Sequence, residues 1–231
     1  MKKLITFYCI SGLLIFASAC TNAPDAEKAT TTEAKDVAAA TGSELKVDTT
    51  ASKIEWIGTK VSGYHSGSIN IKSGILRTVG DTVTGGNFVF DMNSLVVTGP
   101  AGSDPKSNAK LEGHLKSGDF FDVGKSPEAT FEITSVKPFT GTVTDSNDVR
   151  QESISKYKVP NPTHMISGNL TIKGVTKNIE FPARISVGAN SVDALAKFNI
   201  DRSQWNITYP GKPDDLIRND IHLGIALKAT K

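Results

Sequence analysis

The chain has 231 residues, 38% of them hydrophobic and 22% charged, so it is long enough to bury a core of its own. With 26 basic and 24 acidic residues, its formal net charge is +2, which excludes the strongly basic class of nucleic-acid-binding proteins. Only two cysteines are present, which excludes a fold held together by several disulfides.

Residues 1–19 are typical of a secretory signal peptide. Lys2 and Lys3 precede the apolar segment "LITFYCISGLLIFA", which is too short to span a membrane as a mature helix, and small residues follow it. Removal of residues 1–19 also removes Cys9, so Cys20 becomes the single mature cysteine and no intramolecular disulfide can form. The mature chain then has 24 basic and 24 acidic residues and is neutral, and no nucleic-acid partner is expected.

The segment "ASAC", residues 17–20, resembles the lipobox of bacterial lipoproteins, with Ala17 in the place where leucine is usual. The resemblance implies that Cys20 is lipidated and anchors the protein to a membrane. The alternative is an ordinary signal peptide that is cut beside a cysteine. Thr21 replaces the aspartate that retains some lipoproteins at the inner membrane, so the expected location is the bacterial cell envelope, at the outer membrane and facing the periplasm.

Residues 20–51 are rich in alanine, threonine and charge and contain no aromatic residue. Such a segment buries too little apolar surface to offset the entropy of ordering it, so we predict a lipidated cysteine followed by a flexible tether. A short helix over residues 27–40 is the alternative, although it would have no apolar face to pack. The folded domain is predicted to span residues 52–231 as a single unit.

Within this domain, apolar residues alternate with polar ones in segment after segment, which is typical of half-buried antiparallel strands. Eight such strands are expected, and eight strands of this length close naturally into a barrel. The predicted class is therefore all-β, a single eight-stranded antiparallel barrel. The eight segments are "IEWIG", "SGSINIKSGIL", "NFVFDM", "TFEI", "MISGNLTIKG", "IEFPARISV", "SVDALAKFNI" and "IHLGIALKA".

One short helix is predicted in "KSNAKLEGHLKSG", where Leu111 and Leu115 lie four residues apart and Gly118 stands where a helix would end. A single helix beside a barrel usually covers one end. We predict a lid in which adjacent Phe120 and Phe121 point in different directions, one into the barrel mouth and one against the outer strands. The predicted lid residues are Leu111, His114, Leu115, Phe120 and Phe121.

The inward face of the barrel mixes large apolar residues with small ones. That mixture fits a lined channel, and it also fits a solid core of interdigitated side chains, so the residues alone leave both interpretations open. The predicted tunnel residues are Phe88, Phe90, Phe131, Ile133, Phe181, Ala194, Ala196 and Phe198.

Arg202 and Trp205 are the candidate contacts for a polar head group at the barrel mouth. The alternative for Arg202 is a structural ion pair with Asp119, Asp122 or Asp201. For His114 the bland alternative is a local hydrogen bond.

The four histidines have no metal-ligand spacing among them, so no metal site is expected. The chain also lacks the nucleophile-elbow, Walker and dinucleotide-binding motifs, so neither a catalytic residue nor a cofactor is expected and the protein is not predicted to be an enzyme.

Three successive stretches, "GHLKSGDFFDVGKSPEATFEITSV", "ISGNLTIKGVTKNIEFPARI" and "FNIDRSQWNI", resemble the YceI-like family, the polyisoprenoid-binding, lipocalin-like periplasmic proteins. The resemblance runs from about residue 52 to the end of the chain. It implies an elongated apolar tunnel that binds, carries or sequesters an isoprenoid or similar long-chain amphiphilic lipid, with no cofactor and no catalytic residues. The alternative function is an anchored structural or interaction module with a solidly packed barrel, and two copies could pair as a homodimer.

Overall fold

The computed structural model describes residues 23–141 and 156–231, and these ranges form eleven strands, one α-helix and one short 3-10 helix. The helix α1 spans Pro105–Lys116, and the 3-10 helix spans Arg202–Trp205. The strands are β1 (Thr30–Glu33), β2 (Ser43–Val47), β3 (Lys53–Lys60), β4 (Gly63–Val79), β5 (Thr82–Gly99), β6 (Glu128–Pro138), β7 (His164–Ile172), β8 (Val175–Val187), β9 (Ser191–Asp201), β10 (Gly211–Lys212) and β11 (Asp215–Thr230).

Eight of these strands close into an antiparallel barrel. Each of the strands from β3 to β8 pairs with the next, β9 pairs with β11, and β11 pairs with β3, which completes the circle. These are the eight strands that the alternation of apolar residues predicts, and the predicted all-β barrel with one short helix is confirmed. Closure leaves no free sheet edge around the barrel itself.

The strand position between β4 and β11 is shared by two strands. Residues 75–78 of β4 pair with β2, whereas residues 63–69 of β4 pair with β3. Between β2 and β3 the chain turns at Asp48, whose carboxylate accepts hydrogen bonds from the backbone N–H groups of Thr50 and Ala51, both at 3.0 Å. Residues before residue 52 are therefore part of the fold, among them those of β2.

The wall also contains a wedge between β8 and β9. These two strands pair with each other only from Ala183–Ala196 to Val187–Val192 and separate beyond that point. The gap is occupied by residues 27–33, which we call the N-terminal wedge: β1 pairs antiparallel with residues 177–180 of β8, and Lys28 pairs parallel with Asn199 of β9. Hydrogen bonds of 2.8 Å join Asn199 to the backbone of the wedge on both sides.

The predicted flexible tether over residues 20–51 is thus wrong for most of its length. Residues 20–22 lie outside the described residues, but the wedge and β2 are both hydrogen-bonded into the barrel. Ala29 is 5% exposed and Leu45 2% exposed, so the segment buries apolar side chains even though most of its residues are polar. The alternative helix over residues 27–40 is also wrong, because residues 28 and 30–33 pair with strands and residues 34–40 are not helical.

The helix α1 lies where the sequence predicts it, with different ends. Asp104 caps its N-terminus by accepting a 2.9 Å hydrogen bond from the backbone N–H of Ser107, and Pro105 follows in the first turn, where its missing N–H costs nothing. The helix ends at Lys116, with Ser117 as its extended C-cap. Gly118 is therefore not the residue that ends the helix. No helix among the described residues is long and apolar enough to cross a membrane.

Candidate ligand cavity

The barrel encloses a cavity of about 260 Å³, far larger than the roughly 10–15 Å³ that admits one water. Residues from all eight barrel strands line it, together with the lid segment that follows α1. On β11 the lining extends from Ile217 to Leu227, a stretch of strand about 30 Å long. The interior is therefore elongated and hollow, which decides between the two interpretations that the residues alone leave open.

All eight predicted tunnel residues line this cavity. Four of their phenyl rings form a continuous row around the wall: Phe88 lies 6.3 Å from Phe131, Phe131 lies 5.9 Å from Phe181, and Phe181 stacks on Phe198 at 4.0 Å between ring centroids. Phenyl rings offer a ligand apolar contact area but no hydrogen-bonding group. A contact of these residues with a ligand stays a prediction.

Four of the five predicted lid residues also line the cavity, namely Leu111, Leu115, Phe120 and Phe121. The prediction that Phe120 and Phe121 point in different directions is wrong, since both border the same space. Alternation holds only for extended backbone, and here the chain turns: the N–H groups of Phe121 and Asp122 bond back to the carbonyls of Leu115 and Ser117 at 3.1 and 2.8 Å. Asp122 has φ 47°, in the left-handed region.

His114 does not line the cavity. Its Nε2 lies 3.0 Å from a carboxylate oxygen of Asp119, the local hydrogen bond that was the alternative interpretation. Its ring meets the edges of Phe120 and Tyr209 at 5.1 and 4.9 Å. Tyr209, which the sequence did not single out, thus joins the loop before β10 to the lid, and it lies 5.3 Å from Phe120.

Arg202 lies beneath the lid and is only 4% exposed. Its guanidinium donates to three backbone carbonyls, those of Ile207 at 2.7 Å, Tyr209 at 2.8 Å and Arg218 at 3.2 Å. The predicted ion pair with an aspartate is wrong: within the described ranges no carboxylate lies within 4.0 Å of the Arg202 side chain, and Asp201 instead caps the 3-10 helix through Ser203. Burial lowers the pKa of the Arg202 guanidinium.

Trp205 is fully buried and lines the cavity beside Arg202. Its indole N–H donates to the carbonyl of Leu170 at 3.0 Å, so the polar edge of the ring is already paired. Arg202 and Trp205 therefore connect backbone segments at the lid end of the barrel, and most of their hydrogen-bond donors are already bonded to backbone carbonyls. Their role as head-group contacts stays a prediction.

Three polar side chains in the cavity wall were not predicted from the sequence. Trp56 and Thr59 on β3 and His65 on β4 line the cavity, and the buried Trp56 Nε1, Thr59 Oγ1 and His65 Nδ1 have no hydrogen-bond partner among the described residues. Burial, together with the charge of Lys60, lowers the pKa of His65, so the ring is held neutral. Sequence alternation shows Trp56 as an inward residue, but only the strand register shows which residues surround it.

His222 lies on the outer side of the β9–β11 pair and is 4% exposed. Its Nδ1 lies 3.0 Å from Oδ1 of Asn199, and the ring of Tyr157 covers it at 5.3 Å. Burial, with a smaller contribution from Lys197, lowers its pKa from 6.5 to about 4.

Among the described residues no group of three histidine, cysteine, aspartate or glutamate side chains is arranged to hold a metal ion.

The depressed pKa of His222 predicts a loss of stability in mild acid. The unfolded chain binds a proton on His222 at the ordinary pKa of 6.5, and the folded chain binds it only near pH 4. The contribution of neutral His222 to the free energy of unfolding is therefore fully present above pH 6.5 and is lost as the pH falls towards 4. The free energy of unfolding should fall by up to about 3 kcal/mol across this window. Urea titrations at several pH values measure it, and His222→Gln should flatten the slope, apart from the smaller contribution of His65. An equal slope in both proteins would contradict the assignment.

Comparison with known proteins places the chain in a family. The sequence model of the YceI-like domain matches residues 45–229, starting inside β2. A UPF0312 protein of Pseudomonas paraeruginosa is 37% identical over 105 residues, and one of Pectobacterium atrosepticum is 31% identical over 105 residues. These matches cover 43% of this chain, and the chain spans only 44% of the length of these curated relatives.

Two solved structures share the fold. BcnA of Burkholderia cenocepacia superposes with a TM-score of 0.58 at 18% identity, over 80% of this chain and 99% of BcnA. A polyisoprenoid binding domain from Saccharophagus degradans superposes with a TM-score of 0.55 at 15% identity, over 80% of this chain and 97% of that domain. At such low identity these likenesses establish the architecture, and the match of the domain model over residues 45–229 establishes that the chain belongs to the YceI-like family.

Proposed function

We propose that this protein binds a long-chain isoprenoid or similar amphiphilic lipid inside the barrel and carries or sequesters it at a bacterial membrane. The observation that supports the proposal best is the cavity itself, which is elongated, hollow and walled by apolar side chains. The fold likeness to a polyisoprenoid binding domain adds support. The same cavity argues against the alternative function, a structural or interaction module with a solidly packed barrel.

The energetics of such a cavity favour a linear apolar ligand. A hydrocarbon tail offers no hydrogen bonds, so its affinity comes from apolar surface removed from water, about 0.8 kcal/mol for each buried CH₂. A tail of fifteen carbons gains roughly 12 kcal/mol in this way. That gain exceeds all but the largest estimates of the cost of association. The row of phenyl rings supplies contact area without demanding a particular polar group from the ligand.

The proposal is tested by extracting the purified protein with organic solvent and by native mass spectrometry, which should show a long-chain lipid in stoichiometric amount. Ala196→Trp places an indole into the cavity from β9, and we expect it to displace the lipid while leaving the melting temperature of the lipid-free protein nearly unchanged, because the ring enters existing space. Asp193→Trp, at an exposed position of the same strand, is the matched control. An empty parent protein whose Ala196→Trp variant melts clearly lower, as overpacking of about 1–3 kcal/mol would cause, contradicts the proposal.

The membrane anchor is part of the proposal and falls on Cys20, outside the described residues. The carbonyl of Pro24 already accepts a 2.9 Å hydrogen bond from Asn199, and Pro24 is only four positions after Cys20 in the sequence. Four residues reach at most about 14 Å. We therefore place the barrel close to the membrane surface instead of at the end of a long tether, at the outer membrane and facing the periplasm.

Cys20→Ser tests the anchor. The variant should remain folded but lose its lipid modification, so that it appears either unprocessed or soluble after cell fractionation, with an unchanged melting temperature of the barrel. Cys9→Ser, within the predicted signal peptide, is the control and should be processed normally. A Cys20→Ser protein that is still processed and still needs detergent for extraction contradicts the lipoprotein assignment.

A further inference from the structure

Trp56 and His65 lie on the inner face of one strand pair at the lid end of the barrel. In the register of β3 and β4, Trp56 is opposite Gly67 and Gly58 is opposite His65. The two side chains are therefore diagonal neighbours, a spacing of about 7–8 Å between such positions, within reach of long rings. Both belong to the cavity lining.

One ring nitrogen of each side chain is buried without a hydrogen-bond partner in the described part of the chain, while the backbone of Gly99 also interacts with the His65 ring. Trp56 is 7% exposed, and both its Nε1 and the Nδ1 of His65 are buried with no hydrogen bond among the described residues. Native proteins pair the large majority of buried polar atoms, so each unpaired one needs an explanation. Trp205 provides the contrast within the same cavity, since its indole N–H is bonded to the carbonyl of Leu170 at 3.0 Å.

The two glycines that complete this arrangement hold the indole in place. A Cβ atom at Gly67 would lie 2.7 and 2.8 Å from the Cζ2 and Cε2 atoms of Trp56, so the ring lies directly against the bare backbone of β4. Cε2 is bonded to Nε1, which fixes where the N–H group sits. Gly58 leaves the remaining corner of the strand pair without a side chain of its own, and the nearest side-chain atom from another strand is the Cδ1 of Ile221, 3.6 Å from where a Cβ at Gly58 would lie.

Two of the cations near this pair are already engaged, whereas the Nε of Arg218, next to Ile217 on β11, is buried without a partner within the described ranges. Lys60 forms an ion pair with Asp215, and the Arg202 guanidinium donates to three carbonyls. Burial lowers the pKa of His65 and keeps its ring neutral. A phosphate or carboxylate at Trp56 and His65 would therefore find neither Lys60 nor Arg202 free to receive its charge, and burying an anion without a paired cation is strongly unfavourable. An indole N–H and a neutral imidazole suit a hydroxyl or carbonyl oxygen, which can accept from the first and exchange a hydrogen bond with the second.

We propose that Trp56 and His65 form a subsite for the uncharged oxygen-bearing head group of the lipid, a hydroxyl or a carbonyl, and that the cavity disfavours the corresponding phosphate. This inference rests on the proposed function, because the subsite acts on a ligand whose tail fills the cavity. The proposed head-group site is therefore the β3–β4 pair and not Arg202, which was the candidate from the sequence.

The test compares three ligands with the same tail: geranylgeraniol, geranylgeranyl monophosphate and the hydrocarbon in which hydrogen replaces the hydroxyl group. Their affinities for the delipidated full chain are measured by displacement of a fluorescent fatty probe. We expect the alcohol to bind about three- to tenfold more tightly than the hydrocarbon, as one or two neutral hydrogen bonds supply. Trp56→Phe keeps an aromatic ring but removes the N–H, and it should bring the ratio of alcohol affinity to hydrocarbon affinity, both measured on that variant, close to one.

A second measurement needs no variant. The chain has two tryptophans, so its indole N–H groups give two resonances in a ¹H–¹⁵N spectrum. The Trp56 resonance should shift more with the alcohol than with the hydrocarbon, whereas the paired Trp205 resonance should respond to both alike. Tyr64→Phe, which removes a hydroxyl on the exposed side of β4 next to His65, is the control and should keep the alcohol preference.

The outcomes separate the two proposals. An alcohol preference that survives in Trp56→Phe, or a phosphate that binds more tightly than the alcohol, overturns the subsite and leaves lipid binding intact. Failure of all three ligands to bind the wild-type protein, combined with the absence of lipid from the purified protein, overturns the proposed function and with it the subsite. An alcohol preference lost in Trp56→Phe and kept in Tyr64→Phe supports both.

Discussion

Replacing Phe120 and Phe121 together by alanine should lower the free energy of unfolding by several kcal/mol, about 3 to 5 kcal/mol, and should speed the escape of bound lipid. Phe120 is 4% exposed and packs against His114 and Tyr209, with the Arg202 guanidinium 6.0 Å from its ring centroid. Phe121 borders the cavity beside it. Without the two rings the lid loses the contacts that join α1 to the loop before β10.

Urea unfolding measures the stability change, and the rate at which a fluorescent lipid leaves the protein measures the lid. Phe139→Ala is the matched control, because it also removes a phenyl ring but lies beyond β6 at the opposite end of the barrel and does not line the cavity. It should leave the lipid off-rate unchanged. If the double variant retains both its stability and its off-rate, then Phe120 and Phe121 are not lid residues.

The barrel strands were predictable because their period of two follows directly from strand geometry. Wherever one face of a strand is buried, alternate residues must be apolar, and the segment ending at Phe198 and Ile200 shows this plainly. The tunnel residues followed from the same rule, since every inward residue of a hollow barrel borders the cavity. Whether the barrel is hollow was not predictable, because packing depends on how side chains from different strands fit together.

The N-terminal wedge was missed because its strand carries almost no apolar signal. In "ATTTE", residues 29–33, only Ala29 is buried, and the other side chains are exposed or half-buried. The run of β-branched threonines was the available signal, since threonine is enriched in strands. Composition instead indicated a flexible tether, because the average hydrophobicity of about thirty residues does not reveal that a single small residue, Ala29, is buried in the barrel wall.

The polar contacts at the lid end were missed for a different reason. Arg202 was expected to meet a carboxylate, yet it donates to carbonyls of Ile207, Tyr209 and Arg218, which every residue type offers and which no sequence pattern reveals. The pair of Trp56 and His65 likewise depends on the register that places Gly58 and Gly67 at the other corners. Residue types identify inward positions, but their neighbours become known only once the strands are aligned.

Placing a charge at the one buried side chain of the wedge should open the wall of the barrel. Ala29→Asp introduces a carboxylate at a position that is 5% exposed and part of the main hydrophobic core. An unpaired carboxylate at such a site costs several kcal/mol, more than a short strand gains by docking, so we expect the wedge to detach. Residues 177–180 of β8 and Asn199 of β9 would then lose the wedge that pairs with both strands, next to the stacked rings of Phe181 and Phe198.

Hydrogen exchange and lipid release test this expectation together. In Ala29→Asp the amides of residues 27–33, and those of residues 177–180 that pair with β1, should exchange faster, while amides in β5 and β6 keep their protection. Bound lipid should leave faster, because the gap between β8 and β9 gives it a second way out through the barrel wall. Thr30→Asp adds the same charge at the adjacent exposed position and should change neither quantity. Wild-type exchange and wild-type lipid release in Ala29→Asp would show that residues 27–33 lie on the barrel without closing it.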